Sequence, residues 1–142
     1  MAQLHVQEFL SLLKQSALLT AAQWDTAQNA AKQLQKNSIA NPDAGTVESL
    51  AAELAALGLL THWQASQLTK RQTGFVLGKC RLLTPVGLGG MGHVFKARDD
   101  KTRAIVAIKV MSQKLTGNQT LVSRFRREIR ASSQLNNPHI VR

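Results

Sequence analysis

Residues 85–111 read PVGLGGMGHVFKARDDKTRAIVAIKVM, and no other stretch restricts the fold as much. His93-Val94-Phe95-Lys96-Ala97-Arg98 reads as a strand, Asp99-Asp100-Lys101 as a turn, and Arg103 to Met111 as a further strand. With the strand that leads into the glycines, this makes an antiparallel meander with a glycine turn at one end. Gly87, Gly89 and Gly92 form G-x-G-x-x-G, followed by Val94. Such glycines let the backbone turn tightly and offer N–H groups to phosphate oxygens without side-chain obstruction. A plain hairpin turn is the bland alternative. A phosphate loop of the G-x-x-x-x-G-K-[ST] type needs Lys and Ser/Thr after the last glycine, where this chain has His93-Val94. A dinucleotide fingerprint needs a helix after the glycines and an acid ~20 residues further on. A strand follows instead, and residues 109–115 hold no acid.

The period of two along Val106 to Met111 places Ala107, Lys109 and Met111 on one face. Val106, Ile108 and Val110 share the other face and are expected to pack in the sheet core. Downstream, Leu121, Phe125, Ile129 and Ser132 follow helical spacing within an amphipathic segment from about Leu121 to Leu135. Glu128 stands at the edge of that face, three residues after Phe125, where it can look toward Lys109. Arg124, four residues before it, is a local competitor, although an exposed helical pair contributes only about 0.2–0.5 kcal/mol. Arg124, Arg126, Arg127 and Arg130 line the exposed side.

The first half reads as four short helices. Leu4, Phe9, Leu12 and Leu13 fit one face of a helix over roughly Val6 to Gln15. Thr20 with Gln23 is a capping box, opening a helix from Ala21 to about Lys36 that buries Trp24, Ala27, Ala31 and Leu34. Asn41-Pro42-Asp43-Ala44-Gly45 is a break. Thr46 or Asp43 then caps a third helix with Leu50, Leu54 and Leu57 on one side and Gly58 as its C-terminal cap. Thr61 with Gln64 repeats the capping pattern before Trp63, Ala65 and Leu68. Leu18-Leu19-Thr20-Ala21-Ala22-Gln23 echoes Leu59-Leu60-Thr61-His62-Trp63-Gln64, forty-one residues later. Duplication and the reuse of one capping solution both fit so short an echo. Nothing in this half has catalytic spacing, and His5 and His62 read as surface residues.

Composition divides the chain in the same place. Residues 1–69 carry three Lys and five acids, residues 70–142 fifteen Lys/Arg and three acids. The expected units are a helical module over 1–73 and a sheet-and-helix unit over 74–142. The 142 residues are 44% hydrophobic, which is too apolar for a disordered tail. The single cysteine, Cys80, excludes an internal disulfide framework and a Cys-rich zinc site. No metal site is expected. Cys80 reads as a small, partly buried residue without the neighbours of a nucleophile. The basic half could meet nucleic acid or an acidic surface, but no recognition helix, Cys/His finger or RNA-type aromatic motif supports nucleic-acid binding. No leader or bilayer-length apolar run is present, so a cytoplasmic chain is expected.

In order, Gly87-x-Gly89-x-x-Gly92-x-Val94, Val106-Ala107-Ile108-Lys109, Glu128 in Phe125-Arg126-Arg127-Glu128-Ile129, and Asn137-Pro138-His139-Ile140-Val141 resemble the small lobe of protein kinases, especially bacterial serine/threonine kinases of the eukaryotic type. The resemblance covers about Phe75 to Arg142. The helical prefix with its Leu-Leu-Thr-x-x-Gln turns is similar to the extension ahead of some planctomycete-type kinases. The expected fold is therefore α+β: a helical N-terminal module, then a truncated kinase small lobe of antiparallel sheet and αC helix, ending at the start of the fourth strand.

The resemblance implies ATP as the ligand. Val86, Gly87, Leu88, Gly89, Gly90, Met91, Gly92, His93, Val94, Ala107 and Lys109 would form its site. Val94 and Ala107 would meet the adenine faces, and Lys109 would contact the α/β-phosphates. Glu128 would be the ion-pair partner of Lys109. His93 has no base role. Cys80 departs from the Tyr often found at its position. No H-R-D-x-x-x-x-N, D-F-G or A-P-E follows. The catalytic base and the protein ligands of Mg²⁺ are thus absent, and a protein substrate would be met through a large lobe outside these residues. The expectation is a serine/threonine kinase in the parent protein and no transfer by this stretch alone. The alternative is a scaffold built from the helices and a degenerate lobe. The helical module could also dock a partner, dimerise, or serve as a passive packing extension.

Overall fold

The computed structural model describes residues 4–40 and 45–135. The turn expected at 137–141 and the start of a fourth strand lie outside these residues, as does the break at 41–44. The described chain holds five α-helices and four strands: α1 (Val6–Gln15), α2 (Ala21–Asn37), α3 (Val47–Ala56), α4 (His62–Thr69), β1 (Val76–Leu77), β2 (Cys80–Gly89), β3 (Gly92–Asp99), β4 (Ile105–Met111) and α5 (Gln119–Ser133). A short 3₁₀ turn, Gln113–Leu115, leads into α5. The class is α+β, a helical part followed by an antiparallel sheet with one helix.

Two compact units divide between Gly78 and Lys79, whereas the composition shift placed the junction at 73/74. Phe75 accounts for the difference. It is 1% exposed in the helical core, edge-on to Trp63 at 5.6 Å between ring centroids. Glu8 and Arg71 tie the two ends of the helical unit at 3.1 Å.

The helical core gathers Phe9 and Leu13 of α1, Ala27 and Ala31 of α2, Val47, Leu50, Ala51 and Leu54 of α3, and Ala65 and Leu68 of α4. Trp24 and Leu34 are only partly buried, and the Lys14 ammonium lies 5.9 Å from the Trp24 ring centre. Leu57 was expected on the buried face of α3 and is 48% exposed. It is the C-cap, beyond the last helical turn, where the 3.6-residue period no longer sets its direction.

The forty-one-residue echo extends beyond the capping turns. That offset carries Val6–Gln15 onto Val47–Ala56 and Ala21 onto His62, so α1 and α3 match end to end and α2 and α4 start in register, although α2 runs to 17 residues and α4 to 8. Both second helices open with a complete capping box, Thr20 with Gln23 and Thr61 with Gln64. Both first helices end on a left-handed residue, Ala17 at φ 54° and Gly58 at φ 70°. The Gly58 N–H donates to Ala55 O and the Leu59 N–H to Leu54 O, each at 3.0 Å. This pair of bonds closes a helix end and satisfies its last carbonyls. The Ala17 N–H donates to Lys14 O in the matching place. Buried Phe9 and Leu13 correspond to buried Leu50 and Leu54.

In the second unit β2, β3 and β4 are consecutive antiparallel neighbours. Bulges between Leu82 and Thr84 and between Pro85 and Gly87 curl β2 toward its glycine end. Leu82 and Ala97, paired across β2 and β3, are buried. β4 begins at Ile105 instead of Arg103, because Arg103 is left-handed at φ 62° and cannot continue a strand. Val106, Ile108 and Val110 are half-buried and do not form the closed core expected of them. The helix that follows buries none of its own residues, so β4 is lightly covered. Cys80 is partly buried.

Candidate functional site

β2 and β3 are joined by the two-residue turn Gly90-Met91, with Gly89 opposite Gly92, Leu88 opposite His93 and Gly87 opposite Val94. The four glycines do not share one reason for being glycine. A Cβ at Gly92 would collide with the Val110 carbonyl oxygen on β4, so the close approach of two strands requires glycine there. At Gly87 and Gly90 a Cβ would meet nothing, and at Gly89 only an ordinary contact. Packing within this chain therefore does not demand these three. Their open N–H-bearing backbone leaves room for a ligand to come close. Val86 and Leu88 project from the hairpin at 67% and 77% exposure.

Register brings the cleft residues together. Val94 pairs with Lys109 and Lys96 with Ala107 across β3 and β4. The alternation of β4 then puts Ala107 and Lys109 on one face beside Val94. α5, opened by the Asn118 side chain accepting from the Leu121 N–H, supplies Glu128. Lys109 Nζ donates to Glu128 Oε1 at 2.7 Å, and lies 5.9 Å from the Phe125 ring centre. Glu128 has no bond to Arg124 among those of the described residues, so the long-range partner prevails over the local one. The pair is partly exposed, 29% for the lysine side chain and 47% for the glutamate. An ion pair of that exposure contributes about 0–1 kcal/mol to stability, too little for it to be explained as a fold-stabilising device.

A cavity of about 500 Å³ opens beside this pair, lined by Val94, Ala107, Ile108, Lys109, Glu128, Ile129, Ser132 and Ser133. Its wall is mostly apolar, with one cation and one anion at the end near the glycine hairpin's base. Val94, Ala107, Lys109 and Glu128, named from the kinase resemblance, all line this one cavity. Val86 to His93 are carried on the hairpin itself. His93 is exposed with its ring near Phe95. Ile108, expected in the sheet core, Ile129 and Ser132, expected on the apolar face of the helix, and Ser133 also line the cavity. Ser132, one turn after Glu128, was within reach of the same helical spacing that found Glu128.

Away from the cleft, Asp99 closes the β3–β4 turn. It accepts from the Lys101 and Thr102 N–H groups at 2.9 and 3.1 Å and pairs with Lys79 at 2.8 Å. The Lys79 hydrogen bond, aided by the Thr102 N–H, holds its carboxyl at about 2, below the usual 3.8. Asp99 also raises the Lys79 ammonium above its ordinary value. Arg81 and Asp100 form a further pair at 3.3 Å. These contacts fix the turn and touch nothing in the cavity. Among the described residues no group of three His, Cys, Asp or Glu is arranged to hold a metal ion. No helix among the described residues is long and apolar enough to cross a membrane.

Comparison with known proteins coincides with this unit. Residues 80–142 match the protein kinase domain family. The chain is 41% identical over 68 residues to the serine/threonine-protein kinase PknE of Mycobacterium tuberculosis, covering 48% of this chain and 12% of that protein. It is 41% identical over 69 residues to a probable serine/threonine-protein kinase of Clostridium perfringens, covering 48% and 10%. It is 38% identical over 73 residues to the probable serine/threonine-protein kinase PknB of Bifidobacterium longum, covering 51% and 11%. The matched part spans only about a tenth of the length of these relatives. Residues 80–142 thus match the protein kinase domain family in sequence, and over residues 80–135 the antiparallel sheet with its one helix is consistent with the small lobe of such a domain.

Proposed function

We propose that the second unit is the ATP-binding part of a serine/threonine-protein kinase. The observation that carries this reading is the 2.7 Å Lys109–Glu128 pair at the mouth of a cavity walled by Val94 and Ala107. Glu128 holds the lysine ammonium at a fixed point, where it offers its remaining protons to the α- and β-phosphates of ATP. The N–H groups of the hairpin from Val86 to Val94 lie over the phosphates, which Gly87, Gly89 and Gly90 let approach. Val94 and Ala107 bracket the adenine.

In the complete reaction the γ-phosphorus forms a bond to a protein Ser/Thr oxygen and its bond to the β-bridging oxygen breaks. A base takes the hydroxyl proton, and Mg²⁺ supplies charge neutralisation when bound. The 142 residues contain neither the H-R-D base nor the D-F-G metal ligand. This stretch alone therefore binds without transferring, and the protein substrate is met by residues outside it. ATP as ligand and a thiol without a disulfide partner both fit the cytoplasm.

The test is calorimetric titration of the 142-residue chain with ATP, with and without Mg²⁺, beside Lys109→Ala. Saturable binding that falls at least tenfold in the variant is the expected result. No binding by a folded chain overturns the reading and leaves a scaffold of helices and degenerate lobe.

A further inference from the structure

The side of α5 turned away from the cleft is strongly basic. Arg126, Arg127 and Arg130 carry it, with Arg124 at the flank nearer Glu128; these four fall within seven residues whose one acid, Glu128, is already engaged by Lys109. All four are exposed, and among the described residues none forms an ion pair. Arg71 and Arg81, by contrast, each hold a carboxylate. The 3.6-residue turn places Ser123, Arg126 and Arg130 on the opposite side of the helix from Glu128, with Arg127 at their flank. Ser123, Arg126, Arg127 and Arg130 line a concavity of about 280 Å³. A second, of about 430 Å³, shares Ser123 and Arg127 and adds Gln119, Thr120 and Arg124 from the helix's first turns.

We propose that this face docks a phosphoserine- or phosphothreonine-bearing segment of a partner protein. Guanidinium forks match phosphate oxygens bidentately, and several of them around one concavity suit a dianion better than a single carboxylate. The hydroxyl of Ser123, which lines both concavities, adds a neutral donor. The dimensions argue against a nucleic-acid strand. Ser123 to Arg130 spans about 10 Å of helix, room for one or two phosphates but not for a tracked backbone. The face also lacks a stacking platform, since the aromatic of α5, Phe125, stands beside Lys109. The proposal does not depend on nucleotide binding, because the cluster and the cavity lie on different sides of α5.

The experiment is fluorescence polarisation of a labelled nine-residue Gly/Ala peptide with one central phosphoserine, titrated with the 142-residue chain. The unphosphorylated peptide and a labelled single-stranded DNA dodecamer are run alongside. Arg126→Gln with Arg130→Gln removes the forks while keeping good helix formers. Arg126→Lys with Arg130→Lys keeps the charge but not the fork, and Lys109→Ala reports on the nucleotide side. Circular dichroism confirms that each variant keeps its helix content. The expected result is at least tenfold tighter binding of the phosphopeptide than of its unphosphorylated form. That gain is lost in the Gln pair, reduced in the Lys pair and kept in Lys109→Ala. Equal binding of the two peptides overturns the proposal, as does loss in Lys109→Ala with retention in the Gln pair. Tighter binding of the DNA than of the phosphopeptide overturns it in favour of a nucleic-acid face.

Discussion

Asp99 and Gly92 each hold one end of β3, and each does so through a contact far from its own place in sequence. The Asp99 carboxyl is depressed to about 2 from 3.8, so its stabilisation is complete above pH about 4 and is lost as the pH falls from there toward 2. Asp99→Asn is expected to flatten the acid-unfolding curve of the second unit in that window while leaving the curve above pH 5 parallel. Urea midpoints measured from pH 2 to 7 check this. At the other end, Gly92→Ala drives a Cβ into the Val110 carbonyl and should cost roughly 1–3 kcal/mol. Gly89→Ala meets only an ordinary contact and should change stability by less than about 0.5 kcal/mol while weakening ATP binding. Paired denaturation and ATP titrations of the two variants separate the steric glycine from the ligand-facing one. The sequence shows Gly87, Gly89 and Gly92 as one motif with Gly90 inside it and cannot sort them this way, because the sorting depends on which strand lies against which turn.

At the scale of elements, the two helical hairpins make a natural control for each other. Ala17 and Gly58 occupy the same left-handed position after α1 and α3. A non-glycine residue there is strained by about 1–2 kcal/mol, offset in part by the greater freedom glycine has when unfolded. Ala17→Gly should therefore raise the stability of the helical unit by up to about 1 kcal/mol, and Gly58→Ala should lower it by a similar amount. Thermal unfolding followed at 222 nm checks both signs. The capping boxes at Thr20 and Thr61 were legible in the sequence because their bonds span three residues. How far the echo runs was not, since matched positions differ in side chain, Phe9 against Leu50 and partly buried Trp24 against buried Ala65. Leu57 and Arg103 escaped for a related reason: each sits where a helix or turn reverses the chain, and periodicity stops informing there. Phe75 was read as the start of the sheet unit, and only its packing on Trp63 assigns it to the helices.

At the scale of the molecule, the chain joins a helical unit with five Lys/Arg and five acids to a basic unit whose sheet and helix are consistent with a kinase small lobe. The cleft was the most legible part of the second unit. Alternation along β4 and helical spacing along α5 put Lys109 and Glu128, nineteen positions apart, where they can meet, but leave a swung-out glutamate equally open; the 2.7 Å contact decides between them. The half-burial of β4 was not legible, because it depends on how loosely α5 lies over it. If the hairpin, Lys109 and Glu128 form one phosphate site, nucleotide should be felt there and nowhere else. The direct measurement is a ¹⁵N–¹H amide spectrum of the 142-residue chain, titrated with ATP in the presence of Mg²⁺. Progressive shifts at residues 86–94, Ala107 and Lys109, with α1 to α4 unmoved, are the predicted result. Saturable binding with those amides unmoved, and shifts confined to the helical unit or to Arg126 and Arg130, would contradict it.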